Sequence, residues 1–155
     1  MEVMMGQHVG DSRRGGGRAP GLWRRLFGRG APAALDPDRP DLVVVAASFD
    51  DAEACSAALA RATALAPDAP VVLRHHLRIP AAQIGRVCEI AAQDGYSPAP
   101  ADPAADSELT TLILRRVQVL DALRCSQERS RMAGLAQRHD GCADGWDALQ
   151  PSPGE

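Results

Sequence analysis

Apolar positions along this chain switch between runs of period two and stripes of period 3.6. DLVVVAASF, Asp41 to Phe49, is a continuous valine-rich run, the pattern of a buried strand. In the next stretch, DDAEACSAALARATALAP, an apolar stripe joins Ala52, Cys55, Leu59, Ala62 and Leu65 or Ala66. It predicts a helix that starts at an Asp50/Glu53 capping box and stops at Pro67. PVVLRHHLRIP, Pro70 to Pro80, returns to period two. Val71, Leu73, His75, Leu77 and Ile79 share the face assigned to the core, and Val72, Arg74, His76 and Arg78 share the other. PAAQIGRVCEIAAQDGY is a second helix, entered at Pro80, striped by Ile84, Val87, Cys88 and Ala91, and closed by a left-handed Gly95.

SPAPADPAADSE, Ser97 to Glu108, is a loop whose prolines confine any strand to a sheet edge. LTTLILRRVQVL, Leu109 to Leu120, is the strongest strand pattern. Its length and central arginines predict a bulge or a protruding end. A helix opens at Asp121 and runs to about His139, with Leu123, Met132, Leu135 and Ala136 apolar, and Gly141 ends it. CADGWDAL is the closing strand. Asp144 and Gly145 fit a tight turn or bulged start, and the Trp146 ring covers the end of an aliphatic core while its N–H finds a partner. From Val71 onward the order is βαββαβ, that of a ferredoxin-like α+β two-layer sandwich. Residues 41–67 add a strand-helix unit in front, which can lie beside the same sheet. Residues 41–150 therefore read as a single domain.

Residues 1–40 are different. They hold eight glycines and four prolines with few aliphatic side chains, too little apolar area to offset the entropy of ordering them. They read as a disordered basic arm. Within it GLWRRLFGR sets Leu22, Trp23, Leu26 and Phe27 at helical spacing among arginines. That is either a short amphipathic turn for a membrane or RNA surface, or part of a leader without structure.

Charge divides the chain in the same place. Six arginines against Glu2 and Asp11 give residues 1–30 a net +4, and eleven against eighteen acids give residues 31–155 a net −7. An acidic domain is a poor non-specific nucleic-acid binder and suits a basic protein surface. All 17 basic residues are arginine, a usage that a GC-rich genome explains without nucleic-acid recognition. No run approaches the ~20 apolar residues of a membrane span, so stable membrane insertion is not expected. No apolar core followed by a small-residue cleavage site stands near Met1, so secretion is not expected either.

The candidate chemistry is sparse. Cys55, Cys88, Cys125 and Cys142 form no CxxC pair, which points to free thiols in a reducing cytosol. His75 and His76 are adjacent in a strand, point to opposite faces and cannot grip one metal together. Cys142 and His139 lie close enough for a nucleophile–base pair but lack an orienting third group and an oxyanion hole. Asp50, Asp51, Asp140 and Asp144 stand at helix ends and turns, where capping explains them. No catalytic, metal or cofactor site is expected, and the chain reads as a non-enzyme.

Three features together resemble the ribonuclease E inhibitor RraB family (regulator of ribonuclease E activity B). RHHL, Arg74–Leu77, opens a strand-helix unit that ends QDGY, Gln93–Tyr96. A strong strand follows. The last helix then ends MAGLAQRHDGCADGW, Met132–Trp146. The resemblance covers about residues 71–149. It implies a cytoplasmic, non-enzymatic regulator that binds a ribonuclease E/G-type endoribonuclease, lowers its activity and so modulates RNA decay, without cofactor and without touching nucleic acid itself. His75, His76, Asp140, Asp144, Gly145 and Trp146 become the candidate signature or partner-contact residues. Exposed acids on the Pro80–Gln93 helix, in the Ser97–Glu108 loop and over Asp140–Asp147 are candidate contacts for a basic partner. The basic arm and the front strand-helix unit depart from that family's pattern. The alternative is a ferredoxin-like module for a small molecule or RNA, since such folds host many functions. The strands offer few aromatics for base stacking beyond Phe49 and Trp146.

Overall fold

The structure is a computed structural model that describes residues 34–101 and 107–154. Most of the proposed arm, including GLWRRLFGR, lies outside the described residues, as does the centre of the Ser97–Glu108 loop. The elements in chain order are β1 (Leu42–Ser48), α1 (Cys55–Ala60), β2 (Val71–Pro80), a 3-10 turn (Ala81–Gln83) that runs into α2 (Ile84–Gln93), β3 (Ser97–Pro98), β4 (Leu109–Gln118), α3 (Ala122–Gln137) and β5 (Cys142–Pro151). The strands form one sheet in the order β1-β5-β2-β4-β3, and every neighbouring pair is antiparallel. Among the described residues the fold is α+β, a five-stranded antiparallel sheet with three helices.

The face assignment of β2 holds. Val71, Leu73, His75, Leu77 and Ile79 are all buried. Leu77 and Ile79 pack with Leu112 and Leu114 of β4, Val87 and Ala91 of α2, and Met132, Leu135 and Ala136 of α3. Val71 and Leu73 pack with Trp146 and Ala148 of β5, Cys55 and Ala58 of α1, and Cys125 of α3. All three helices thus cover one face. Each fully buried large aliphatic side chain there contributes roughly 1.5–3 kcal/mol of transfer free energy.

On the other face Val72 and Leu149 are covered by Leu35, with Leu42 and Val117 beside them. The packed part of the chain therefore reaches back into the segment assigned to the arm. Arg115 fixes that segment by donating to Pro37 O at 3.1 Å and pairing with Asp38 at 2.8 Å. Val72 is an apolar residue on a polar strand face, and Leu35 is what keeps it from water.

Three local expectations need correction. The helix predicted over residues 50–66 shrinks to Cys55–Ala60, and its capping box does not form. Asp50 Oδ1 instead accepts from Ala52 N at 2.9 Å, and the Glu53 carboxylate is held by Ser48 Oγ at 2.6 Å and Arg61 Nε at 2.6 Å. Arg129 donates to Glu53 O and Asp50 O, so residues 50–53 are pinned as a loop. The bulge predicted in β4 is absent: its ten residues pair with β2 without a shift. The irregularities lie at Val44/Ala46 of β1 and opposite His76/Leu77, where β5 carries Asp144 as its extra residue. Leu123, read as part of the apolar stripe of α3, is 68% exposed, and the stripe is Cys125, Glu128, Met132, Leu135 and Ala136.

The helix ends follow the glycines. Gly95 takes φ +80° after α2, as expected. After α3 the left-handed residue is Asp140, with φ 60°. Gly141 is required for space, because a Cβ there would stand 2.3 Å from Arg78 O.

Candidate functional site

The strand register joins the RHHL and DGW motifs. His75 stands opposite Trp146 and His76 opposite Gly145, across neighbouring strands β2 and β5. Residues 69 and 71 apart in the chain thus form one strip in the middle of the sheet. Side-chain alternation splits the strip into an inner and an outer half.

The outer half is ionic. Asp147 accepts from Arg74 Nε at 2.6 Å and Nη2 at 2.5 Å, and from His76 Nε2 at 3.1 Å. Burial alone would raise the Asp147 pKa, but the hydrogen bonds from His76 and Arg74 more than offset it and hold the carboxyl below its usual range. The Phe49 ring stands edge-on to His76 at 5.1 Å. One step along, the Asp144 carboxylate accepts from Arg78 Nε at 2.9 Å, in a more exposed pair. Gly145 lets β1 approach: a Cβ there would meet Ser48 O at 2.4 Å and Phe49 Cδ1 at 2.5 Å. The glycine before Trp146 therefore serves the close approach of backbone at the bulge.

The inner half is a buried polar network. The His75 ring is edge-on to Tyr96 at 5.7 Å, with Nε2 3.5 Å from the phenol oxygen. Tyr96 Oη donates to Glu128 Oε2 at 2.6 Å, and Glu128 Oε1 pairs with Arg116 at 3.2 Å. The Arg116 guanidinium also lies over the Tyr96 ring, 4.8 Å from its centroid. Burial lowers the His75 pKa to about 4, against a smaller opposing pull from Glu128. Burial and the bond to Glu128 raise that of Tyr96. His75 is thus a neutral imidazole near pH 7.

Beside this network α3 and β5 enclose a cavity of about 280 Å³, lined by His75, Met132, Gln137, Cys142 and Arg129 among others. Cys142 is half-buried. His139 is committed elsewhere, its Nδ1 donating to Leu135 O at 2.9 Å within α3.

Of the candidate residues, the structure brings together His75, His76, Asp144, Gly145 and Trp146, and leaves Asp140 at the turn between α3 and β5. Two roles change. His75 and Trp146 are enclosed, so neither side chain can be a surface contact for a partner. Trp146 is not at a rim, because β5 lies inside the sheet between β1 and β2. Its Nε1–H has no partner among the described residues, contrary to expectation. Asp147, expected among the exposed acids, is buried.

Glu128, Tyr96 and Arg116 escaped the sequence reading. Glu128 sits at the i−4 position from Met132 on the buried stripe, and that spacing was the available signal. Among the described residues no helix is long and apolar enough to cross a membrane, and no group of three metal-ligating side chains converges.

Comparison of the chain with protein-family models, with curated proteins and with solved structures gave no match.

Proposed function

We propose that this chain is a non-enzymatic regulator that binds a ribonuclease E-type endoribonuclease in the cytoplasm and lowers its activity. The observation that carries the reading is the pairing of the two motifs that resemble the ribonuclease E inhibitor RraB family. His75 opposite Trp146 and His76 opposite Gly145 make RHHL and DGW one structural unit. The order β5-β2-β4-β3 of the last four strands, all antiparallel, supports a ferredoxin-like βαββαβ core with β1 and α1 as the added front unit. The net −7 of residues 31–155 supports docking on a basic, RNA-binding surface of the enzyme, which the bound regulator would occlude.

On this reading the strip at His75–Trp146 is the frame, and exposed acids are the contacts. Asp51 and Glu89 have side chains 93% and 69% exposed. The test is an RNA-cleavage assay with a purified ribonuclease E/G-type enzyme and increasing amounts of the full chain. Cleavage should fall in proportion to the regulator bound and recover as salt rises. The double variant Asp51→Arg/Glu89→Arg should inhibit less. An enzyme that neither binds the chain at low salt nor slows in its presence overturns the proposal. The cavity beside His75 and Cys142 favours one second reading, a small-molecule module. A ligand screen by thermal shift on the full chain tests that reading independently.

A further inference from the structure

β1 is an edge strand. β5 pairs with one side of it, and among the described residues no strand pairs with the other. The hydrogen bonds fix which residues face outward. Asp41 O accepts from Ser152 N at 2.8 Å, one step beyond the Leu42–Pro151 pair. Backbone groups point to alternate sides along a strand. Val43 therefore faces β5 as Asp41 does, and Leu42 and Val44 turn their N–H and C=O groups outward. Pro151, which has no N–H, stands opposite Leu42, where none is needed. Beyond the bulge Ala47 faces outward again, and its carbonyl accepts from Arg61 at 2.6 Å.

Among the described residues the unpaired part of the edge is thus Leu42 to Val44, bounded by Pro40 and by the Arg61 contact. Val43 and Val44 are 41% and 52% exposed. LVVVAAS carries no charge and no proline, the usual protection of an open edge.

We propose that this edge is an interface between two copies of the chain, formed by antiparallel pairing of β1 with β1 of the second copy about a two-fold axis at Val43. The outward groups at Leu42 and Val44 are placed symmetrically about Val43, so the edge is its own complement. Leu42 pairs with Val44 of the second copy and Val44 with its Leu42, which makes four backbone hydrogen bonds. The two Val43 side chains meet as a non-hydrogen-bonded pair, where cross-strand side chains approach most closely. No charge in this stretch would select a foreign strand over a second copy. A two-fold contact of this kind uses up the β1 edge of both copies, so pairing through β1 stops at two. The inference is independent of the ribonuclease reading.

The test is sedimentation velocity on the full chain at increasing concentration, with Val44→Pro as the variant. Proline at position 44 removes an outward N–H and leaves the bonds to β5 in place, so the circular dichroism spectrum should not change. The wild type should associate to a dimer with rising concentration, and Val44→Pro should stay monomeric. A wild type that is monomeric throughout, or a Val44→Pro dimer of equal strength, overturns the proposal.

A second measurement does not depend on the proline variant folding. Oxidised glutathione accepts two electrons and two protons from a pair of thiols as one disulfide forms, and leaves as two molecules of reduced glutathione. Under it Val43→Cys should give a linked dimer about tenfold faster than Val44→Cys, whose thiols lie too far apart across the axis. The four native cysteines are free and set the wild-type background. Equal rates for the two variants, or no linkage above that background, overturns the register.

Discussion

Acidification reaches His75 before it reaches the carboxylates. The ring is 2% exposed, and burial lowers its native pKa to about 4. In the unfolded chain the imidazole takes up its proton near ~6.5. Between those values the unfolded state binds a proton that the native state refuses, so native stability falls as pH drops through the interval. The slope is about 1.4 kcal/mol per pH unit, and the whole gap is worth about 3 kcal/mol. A domain of this size is stable by roughly 5–15 kcal/mol, so the loss is a large fraction of the total. The neighbours do not share the window. Glu53 is lowered to about 2 by its bonds to Arg61 and Ser48, and Asp147 is held below its usual value. Their contributions are complete above the unfolded carboxylate pKa near ~4 and are lost only below it. Urea unfolding at steps of pH from neutral to about 4.5 measures the effect. The wild type should lose about 2–3 kcal/mol over that range. His75→Leu, which leaves the Tyr96–Glu128 bond in place, should remove most of the slope. A His75→Leu variant that loses stability at the wild-type slope refutes the assignment.

Other substitutions test the packing. Asp147→Ala leaves Arg74 and His76 facing each other without their carboxylate. It should cost about 2 kcal/mol in chemical denaturation, less than a fully buried pair because Arg74 is 27% exposed. Asp144→Ala breaks a pair whose side chains are 50% and 37% exposed and should cost under ~0.5 kcal/mol in the same assay. Gly141→Ala drives a methyl into Arg78 O at 2.3 Å and should cost at least about 2 kcal/mol in melting experiments. Asp140→Gly relieves the φ of 60° and should gain about 0.5 kcal/mol. Met132→Ala should cost roughly 2–5 kcal/mol, whereas Leu123→Glu should fall within ~0.5 kcal/mol of wild type, which checks the phase of α3.

What the sequence disclosed is what period and punctuation encode. The core face of β2, the cap at Asp121 and the exit at Gly95 are local properties, and all were legible. The misreadings occur where a polar side chain serves a distant partner. Glu53 matches a capping box in letters, yet its carboxylate holds Ser48 and Arg61. Glu128 occupies a core position of α3, and a reading by hydropathy moves the stripe onto Leu123 instead. The spacing from Met132 carries the phase, and the partners Tyr96 and Arg116, distant in the chain, are what let a carboxylate occupy that position.

The strip at the centre of the sheet follows the same logic. Parity alone places Asp147 on the face opposite Trp146. What makes Asp147 a buried ion-pair partner is the alignment of β5 with β2, and one residue sets that alignment. Asp144 is extra in β5, so Ala143 pairs with Leu77 while Gly145 pairs with His76. Without it the residues on one side of the bulge would exchange faces. Either Trp146 would leave the core and Asp147 would enter it, or Ala143 would turn away from Leu77 and Ile79. The bulge therefore lets one strand bury Trp146 beside His75 and present Asp147 to Arg74 and His76. The glycine that follows it admits the backbone of Ser48 and Phe49 at the same point. The short Asp-Gly-Trp sequence has its meaning in this placement: bulge, close approach and core side chain, in that order along β5.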